Sequence, residues 1–292
     1  MKVLAVGSEG NIGAPLVAYL RRQGHEVHTT DIRPGFRDDY AMADINHPLD
    51  LLDAFDWRPD VVYLMAAVVS RVTCEQASSL AVTTNLAGVN NILTLTRRAG
   101  ARLVFFSTSE VYGPAERMDE VLTPPCPNNR YGLTKYLGEQ LVEYEVRQHG
   151  LRAVTVRPFM FYSEAEDLGD HRSAMIRFAA NLSRGEPIEV HRGSERGWMH
   201  IDDGVVALER AGQLDEYAVV NIGHPDIIPT EGLAQLIRLR LGADPALIHV
   251  VDQPERMTLR KVPSLERQRR LLGFEPTIDL AEGVRRVCER FA

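Results

Sequence analysis

Short apolar runs at 3–6, 27–30, 61–67, 103–106 and 153–156 alternate with amphipathic stretches over 12–23, 79–99 and 131–149. Each run is continuous rather than alternating, the pattern of strands covered on both faces. The stretches between them are long enough for helical crossovers. The pattern predicts an α/β fold, a Rossmann-type doubly wound parallel sheet. Gly24 and Gly100 stand where helix C-termini favour a left-handed residue. After Arg157-Pro158 the texture changes: an acidic loop over 163–172, helices over 174–184, 230–241, 264–272 and 280–290, and strands at 188–191, 219–222 and 248–251. These interrupted segments predict a smaller, discontinuous C-terminal α/β substrate lobe. The expected division is 1–157 plus about 201–223 for the sheet domain, and about 158–200 with 224–292 for the lobe.

Directly after the first run stand Gly7, Gly10 and Gly13, spaced three apart at the opening of the first helix. Glycine there permits a tight turn, close backbone approach to a pyrophosphate, and helix-on-strand packing. The helix N-terminus then offers free N–H groups to the phosphates, with Asn11 and Ile12 in the same turn. Asp31 ends the second run, where a carboxylate accepts hydrogen bonds from an adenosine ribose and repels a 2′-phosphate. The spacing therefore predicts NAD rather than NADP, a preference softened by Arg33 beyond Ile32. Asp44 and Ile45 are candidates for an adenine edge, and Ala66 and Ala67 are small enough to let a dinucleotide approach the third strand.

Lys plus Arg totals 33 against 40 for Asp plus Glu, a formal charge of −7. That balance supplies no basic surface for nucleic acid. No apolar run approaches the ~20 residues of a membrane helix, and the N-terminus reaches Gly7 too early for a signal-peptide core. Cys74, Cys126 and Cys288 are odd in number, far apart, and form no metal-ligand spacing. The expectation is a cytoplasmic protein without a metal site, a nucleic-acid partner or a membrane.

Tyr131 and Lys135 are four apart on a helical stretch and so share a face. An ammonium there is expected to lower the phenol and make it a base for an alcohol proton while hydride leaves, and to hold a nicotinamide ribose. Ser107, Thr108, Ser109 and Glu110 follow the fourth run, at the strand end where ligands bind in open α/β sheets. The Thr108 hydroxyl is placed to bridge a substrate alcohol and Tyr131.

Together, Gly7/Gly10/Gly13, Asp31, the stretch Ser107 to Gly113, Tyr131 to Lys135, Arg157-Pro158, Arg196 to Asp203 and Leu272 to Pro276 resemble an extended short-chain dehydrogenase/reductase, of the NAD-dependent nucleotide-sugar epimerase/dehydratase family. The likeness runs from Lys2 to about Val287. It implies NAD that stays bound, oxidises a sugar hydroxyl to a ketone and later returns the hydride, with Thr108, Tyr131 and Lys135 as catalytic triad. Thr108-Ser109-Glu110, Asn221 to Pro225 and Arg260 to Ser264 look like the UDP-glucuronate decarboxylase pattern, which makes Ser109 and Glu110 catalytic candidates. The resemblance also implies that Arg196, with Arg256 or Arg260, meets the substrate diphosphate. Met160 stands where the family usually shows Asn, and the loop over 164–170 is unexpectedly acidic for a neighbour of a polyanion.

The expected function is an NAD-dependent nucleotide-sugar epimerase or decarboxylase acting through transient C4 oxidation. The competing readings are a 4,6-dehydratase and a ketoreductase using dissociable NAD(P)H on a small carbonyl compound. A non-catalytic dinucleotide sensor is disfavoured by the retained Tyr131/Lys135 pair. A homodimer through helices at 82–99 and 133–146 is expected by analogy with the family.

Overall fold

The computed structural model describes residues 1–169, 172–253 and 257–291. The chain divides into two compact units, Met1–Gly113 with Pro125–Arg157 and Val205–Val220, and Pro114–Pro124 with Pro158–Gly204 and Asn221–Ala292.

Its first part runs β1 (Lys2–Val6), α1 (Gly13–Arg22), β2 (Glu26–Asp31), β3 (Tyr40–Met42), α2 (Leu52–Asp56), β4 (Val61–Leu64), α3 (Arg71–Gln76), α4 (Ser78–Val82), α5 (Val89–Ala99), β5 (Arg102–Phe106), α6 (Arg130–His149) and β6 (Ala153–Pro158). There follow β7 (Phe161–Tyr162), α7 (Ala174–Ser183), β8 (Ile188–His191), β9 (Glu195–Gly197), β10 (Met199–His200), α8 (Ile201–Ala211) and β11 (Val219–Ile222). The chain ends with β12 (Ile227–Pro229), α9 (Thr230–Leu241), β13 (Ile248–Val251), β14 (Arg260–Lys261), α10 (Glu266–Leu272) and α11 (Leu280–Glu289).

Seven strands form one sheet in the order β11-β6-β5-β4-β1-β2-β3, and the ladders from β3 to β6 are parallel. This is the Rossmann-like architecture expected from the continuous apolar runs. The strand order reverses beside β1, and β1, β4 and β5 are buried almost throughout. Helix α1 turns Leu16, Val17 and Leu20 inward, each such side chain contributing roughly 1.5–3 kcal/mol on burial. The core of the first unit gathers Leu4, Val62, Leu64, Ile92, Leu93, Leu103 and Phe105. Gly24 and Gly100 both take positive φ at helix ends, as their positions predict.

The stretch expected as one helix over 79–99 is instead α4, a π-helical segment Thr83–Gly88, and α5. Asn85 explains the widening. It is fully buried, its Oδ1 accepting Val68 N at 2.9 Å while its Nδ2 donates to Val68 O and Thr134 Oγ1, both at 3.0 Å. Gly88 meanwhile lets the segment approach Ile45, against which a Cβ would lie 2.6 Å away.

The second unit has its own core, with Tyr162, Met175, Phe178, Trp198, Leu233, Ile237 and Val287 among its members. Among the described residues it carries three small sheets, of which β12-β9-β14 matters below. Among the described residues no helix is long and apolar enough to cross a membrane.

Candidate active site

The turn after β1 is built from its glycines. Gly7 has φ +88°, and a Cβ on it would lie 2.5 Å from Ala66 N at the end of β4. Gly7 N and Ser8 N both donate to Thr30 O, tying the turn to β2 at 2.8 and 3.1 Å. Gly13 is closed in by Gly7 O and Ser8 O, so only glycine fits. At Gly10 the nearest neighbour to a Cβ is Gly7 O at 3.5 Å, an ordinary contact that leaves that side open. Asn11 and Ile12 are half-buried before α1. Asp31 accepts Glu9 N on Oδ2 at 3.0 Å and Arg33 N on Oδ1 at 3.1 Å, which fixes its carboxylate beside the turn. Arg33 Nη1 donates to Glu9 O at 2.8 Å, committing that guanidinium to the turn itself. Ile32 is exposed, Ala66 and Ala67 are half-buried, and Ile45 belongs to the core with its carbonyl accepting Asn91 Nδ2 at 2.9 Å. Asp44 closes an Asx turn through Asn46 N at 2.9 Å. A glycine cradle with one open side and a fixed carboxylate fits a dinucleotide.

Thr108 ends the segment after β5 and caps the short 3₁₀ turn Ser109–Tyr112, its Oγ1 accepting Glu110 N at 3.2 Å. Its hydroxyl also acts on the Tyr131 phenol, opposing the effect of burial on it. Tyr131 and Lys135 both stand on α6, whose N-terminus comes close to the 3₁₀ turn because Gly132 has no Cβ; one there would lie 2.6 Å from Glu110 O. Asn129 then links the two elements. Its Oδ1 caps α6 through Gly132 N at 2.9 Å, and its Nδ2 donates to Glu110 Oε2 at 2.9 Å. The structure thus brings Thr108, Glu110 and Tyr131 together, with Ser109 buried beside them and Lys135 one turn further along α6. Sequence reasoning misses Asn129, whose surroundings look like ordinary loop.

The electrostatics differ from expectation in one respect. Burial pushes the Tyr131 phenol above its ordinary value; the Thr108 hydroxyl opposes this and the Glu110 and Cys74 charges add to it. The expected lowering by Lys135 is not what governs the phenol. Lys135 is itself brought down by burial to about 8, with Glu139 holding it up. Its ammonium lies 4.6 Å from the Phe105 ring and makes no hydrogen bond among the described residues.

In the second unit β9 pairs antiparallel with β12 and parallel with β14, in the register Arg260↔Glu195 and Lys261↔Arg196. Register partners share a face and successive residues alternate. Arg196 and Lys261 therefore lie together, each only 6% exposed. Arg260 lies on the other face, exposed, with its Nε on Glu195 Oε2 at 2.8 Å. Arg196 also donates from Nη2 to Thr258 O at 3.4 Å. The inner cation beside Arg196 is thus Lys261, missed in the sequence because five arginines crowd the same stretch. Arg256 lies outside the described residues.

The acidic loop is pinned. Glu164 accepts His200 Nε2 at 2.8 Å, Glu166 accepts Ser173 N and Oγ at 2.8 and 2.6 Å, and Arg290 Nη1 donates to the carbonyls of Glu164 and Glu166, both at 2.6 Å. Asp170, the last acid of that loop, lies outside the described residues. Met160 holds φ +41°, a left-handed conformation that asparagine adopts readily and methionine rarely does.

Residues 3–223 match the model described as the NAD dependent epimerase/dehydratase family. UDP-glucuronic acid decarboxylase 6 of Arabidopsis thaliana is 28% identical over 306 residues, spanning 100% of this chain and 89% of its own. UDP-glucuronic acid decarboxylase 1 of Danio rerio is 26% identical over 309 residues, spanning 100% of this chain and 72% of its own. A UDP-glucose 4-epimerase of Thermus thermophilus, solved in complex with NAD, has a TM-score of 0.90 at 25% identity, covering 100% of this chain and 99% of that one.

Proposed function

We propose that this chain, which belongs to the NAD-dependent epimerase/dehydratase family, transiently oxidises C4 of a UDP-linked uronic acid and completes an epimerisation or a decarboxylation. The observation that carries this reading is a carboxyl group beside the catalytic phenol: Glu110, held by Asn129 next to Tyr131. A plain 4-epimerase needs no such acid, whereas loss of CO₂ leaves a carbanion to be protonated. The relatives named UDP-glucuronic acid decarboxylase support the same substrate class.

Bound NAD would supply a reversible hydride acceptor for C4. The cradle of Gly7, Gly10, Asn11, Ile12 and Gly13 would hold its pyrophosphate and Asp31 its adenosine ribose, with Ile32, Arg33, Asp44 and Ile45 bordering the adenosine end. Ala66 and Ala67 leave room along the strand ends, and Tyr131 and Lys135 hold the nicotinamide ribose.

Thr108 and Tyr131 flank the C4 hydroxyl, and the Tyr131 phenolate takes up its proton to become the phenol. A buried phenol is a usable base only beside positive charge, and the Lys135 ammonium is the chain's own source of it. The 4-ketone so formed lies β to the C5 carboxylate. The C5–carboxylate bond breaks, its electrons enter the enolate, and Glu110 delivers a proton to C5. Ser109 lines the same strand end. Arg196 holds the diphosphate with Lys261 as its second cation, while Arg260 stays tied to Glu195 at the rim.

The test is incubation with UDP-glucuronate, following CO₂ and the sugar products by NMR. A UDP-pentose with CO₂, or a C4 epimer, is expected, and Tyr131→Phe abolishes both. Protein that neither carries nor binds NAD, by absorbance and calorimetry, overturns the reading. Leu133, Leu137 and Tyr144 on α6 and Leu80 and Val82 on α4 are exposed apolar groups on helices that pack together. A homodimer formed through them is part of the proposal. A monomer at micromolar concentration in the ultracentrifuge removes that part.

A further inference from the structure

Behind Tyr131 and Lys135 lies a charge pair that the reaction above does not use. Glu139 stands one helical turn beyond Lys135 on α6. It receives Arg157 Nε at 2.8 Å on one carboxylate oxygen and Arg157 Nη2 at 2.6 Å on the other. Arg157 comes from β6, with its guanidinium 4.7 Å from the Tyr112 ring. Lys135, Glu139 and Arg157 are 2%, 3% and 3% exposed, so three charged side chains share one dry region.

Such an arrangement is costly to build. A desolvated ion pair often stabilises a fold no better than apolar residues of equal volume. Its position is more informative than its energy. Side chains four apart on a helix share a face, and the carboxylate that Arg157 clamps is the foremost charge acting on the ammonium. Burial alone drives Lys135 toward its neutral form, and the Glu139 charge is what opposes it. The two bonds from Arg157 hold that carboxylate in one place.

We propose that the Arg157–Glu139 pair is a positioning device that acts on Lys135 by fixing a carboxylate charge on the same face of α6. This rests on the reading of Lys135 given above. The groups facing Lys135 are Glu139 and Tyr131 on α6, Cys74 on α3 and the Phe105 ring on β5. Tyr112 and Tyr217 in turn border the pair. Arg157 and Glu139 touch no reacting atom in this scheme; they act through the lysine.

Lysine occurs in this chain only at Lys2, Lys135 and Lys261, so ¹³C-labelled lysine gives three side-chain signals, one of which Lys135→Met identifies. The variant Glu139→Gln strands a buried guanidinium and invites unfolding. The double variant E139M/R157M removes both charges and fills the volume with apolar chain. It is expected to fold, with the Lys135 titration midpoint at least about one pH unit below wild type. The alkaline limits of turnover and of NAD affinity by calorimetry move down with it. A midpoint unmoved while only the melting temperature changes shows a merely structural tie between α6 and β6, and overturns the proposal. Should the double variant not fold, Glu139→Asp, which draws the charge back by one methylene, is expected to lower the midpoint by roughly half a unit; no shift there overturns it equally. The titration needs no turnover. A wild type without NAD-dependent activity therefore sinks the proposed function, while the Lys135 midpoint decides this inference.

Discussion

Asn129 Nδ2 lies 2.9 Å from Glu110 Oε2, while the Oδ1 of the same side chain caps the helix that carries Tyr131. One residue thus sets the distance between a strand-end carboxylate and a helix-borne phenol. Asn129→Ala should cost about 1 kcal/mol for the lost cap and about 1–3 kcal/mol for the buried oxygen that loses its donor. Asn129→Asp keeps the cap but sets a second carboxylate against Glu110. Urea denaturation checks both; an alanine variant as stable as wild type removes Asn129 from this role.

Glu110→Gln separates the two outcomes of the proposed reaction. It retains the shape of the side chain and its acceptor for Asn129 but cannot deliver a carboxylic proton. CO₂ release is expected to fall by about two orders of magnitude or more, as is typical on losing a general acid, with C4 epimerisation spared. Equal decarboxylation by the variant removes Glu110 from the chemistry.

Gly13 and Gly10 should part company when each is changed to alanine. At Gly13 the new methyl meets Gly7 O and Ser8 O, and the turn itself has to move. At Gly10 it meets one atom at ordinary contact distance and fills only the open side of the cradle. Gly13→Ala is expected to lower both the melting temperature and NAD affinity, Gly10→Ala the affinity alone. Thermal melts with and without NAD tell them apart.

Lys135 gives two pH slopes of opposite sign. Its folded-state value is near 8 and its ordinary value 10.5, so between these the unfolded chain binds more protons. Stability therefore rises with pH across that window. NAD affinity falls over the same window, because the ammonium is lost. Denaturation and calorimetry against Lys135→Met, which lacks both slopes, check the signs.

Much of this was legible in the chain because strands covered on both faces are written as apolar runs, and because a glycine turn has few alternatives. β3 was not legible: three residues at the sheet edge, Tyr40, Ala41 and Met42, carry no run and owe their strand to β2. The π-helical segment was hidden for a different reason. Its cause is Asn85 reaching Val68 and Thr134, which are distant in sequence. Lys261 and Arg260 are indistinguishable by composition, and only the ladder register separates an inner cation from a rim ion pair. The Glu139–Arg157 clamp joins residues 18 apart; the helix spacing to Lys135 was visible, the partner strand was not.

Strand β14 is two residues long, and both are basic. Slippage of its ladder by one position would bring Arg260 opposite Arg196 and turn Lys261 outward. The inner face would keep a cation, at the expense of the tie to Glu195. A doublet of basic residues thus keeps one cation on the inner face in either register.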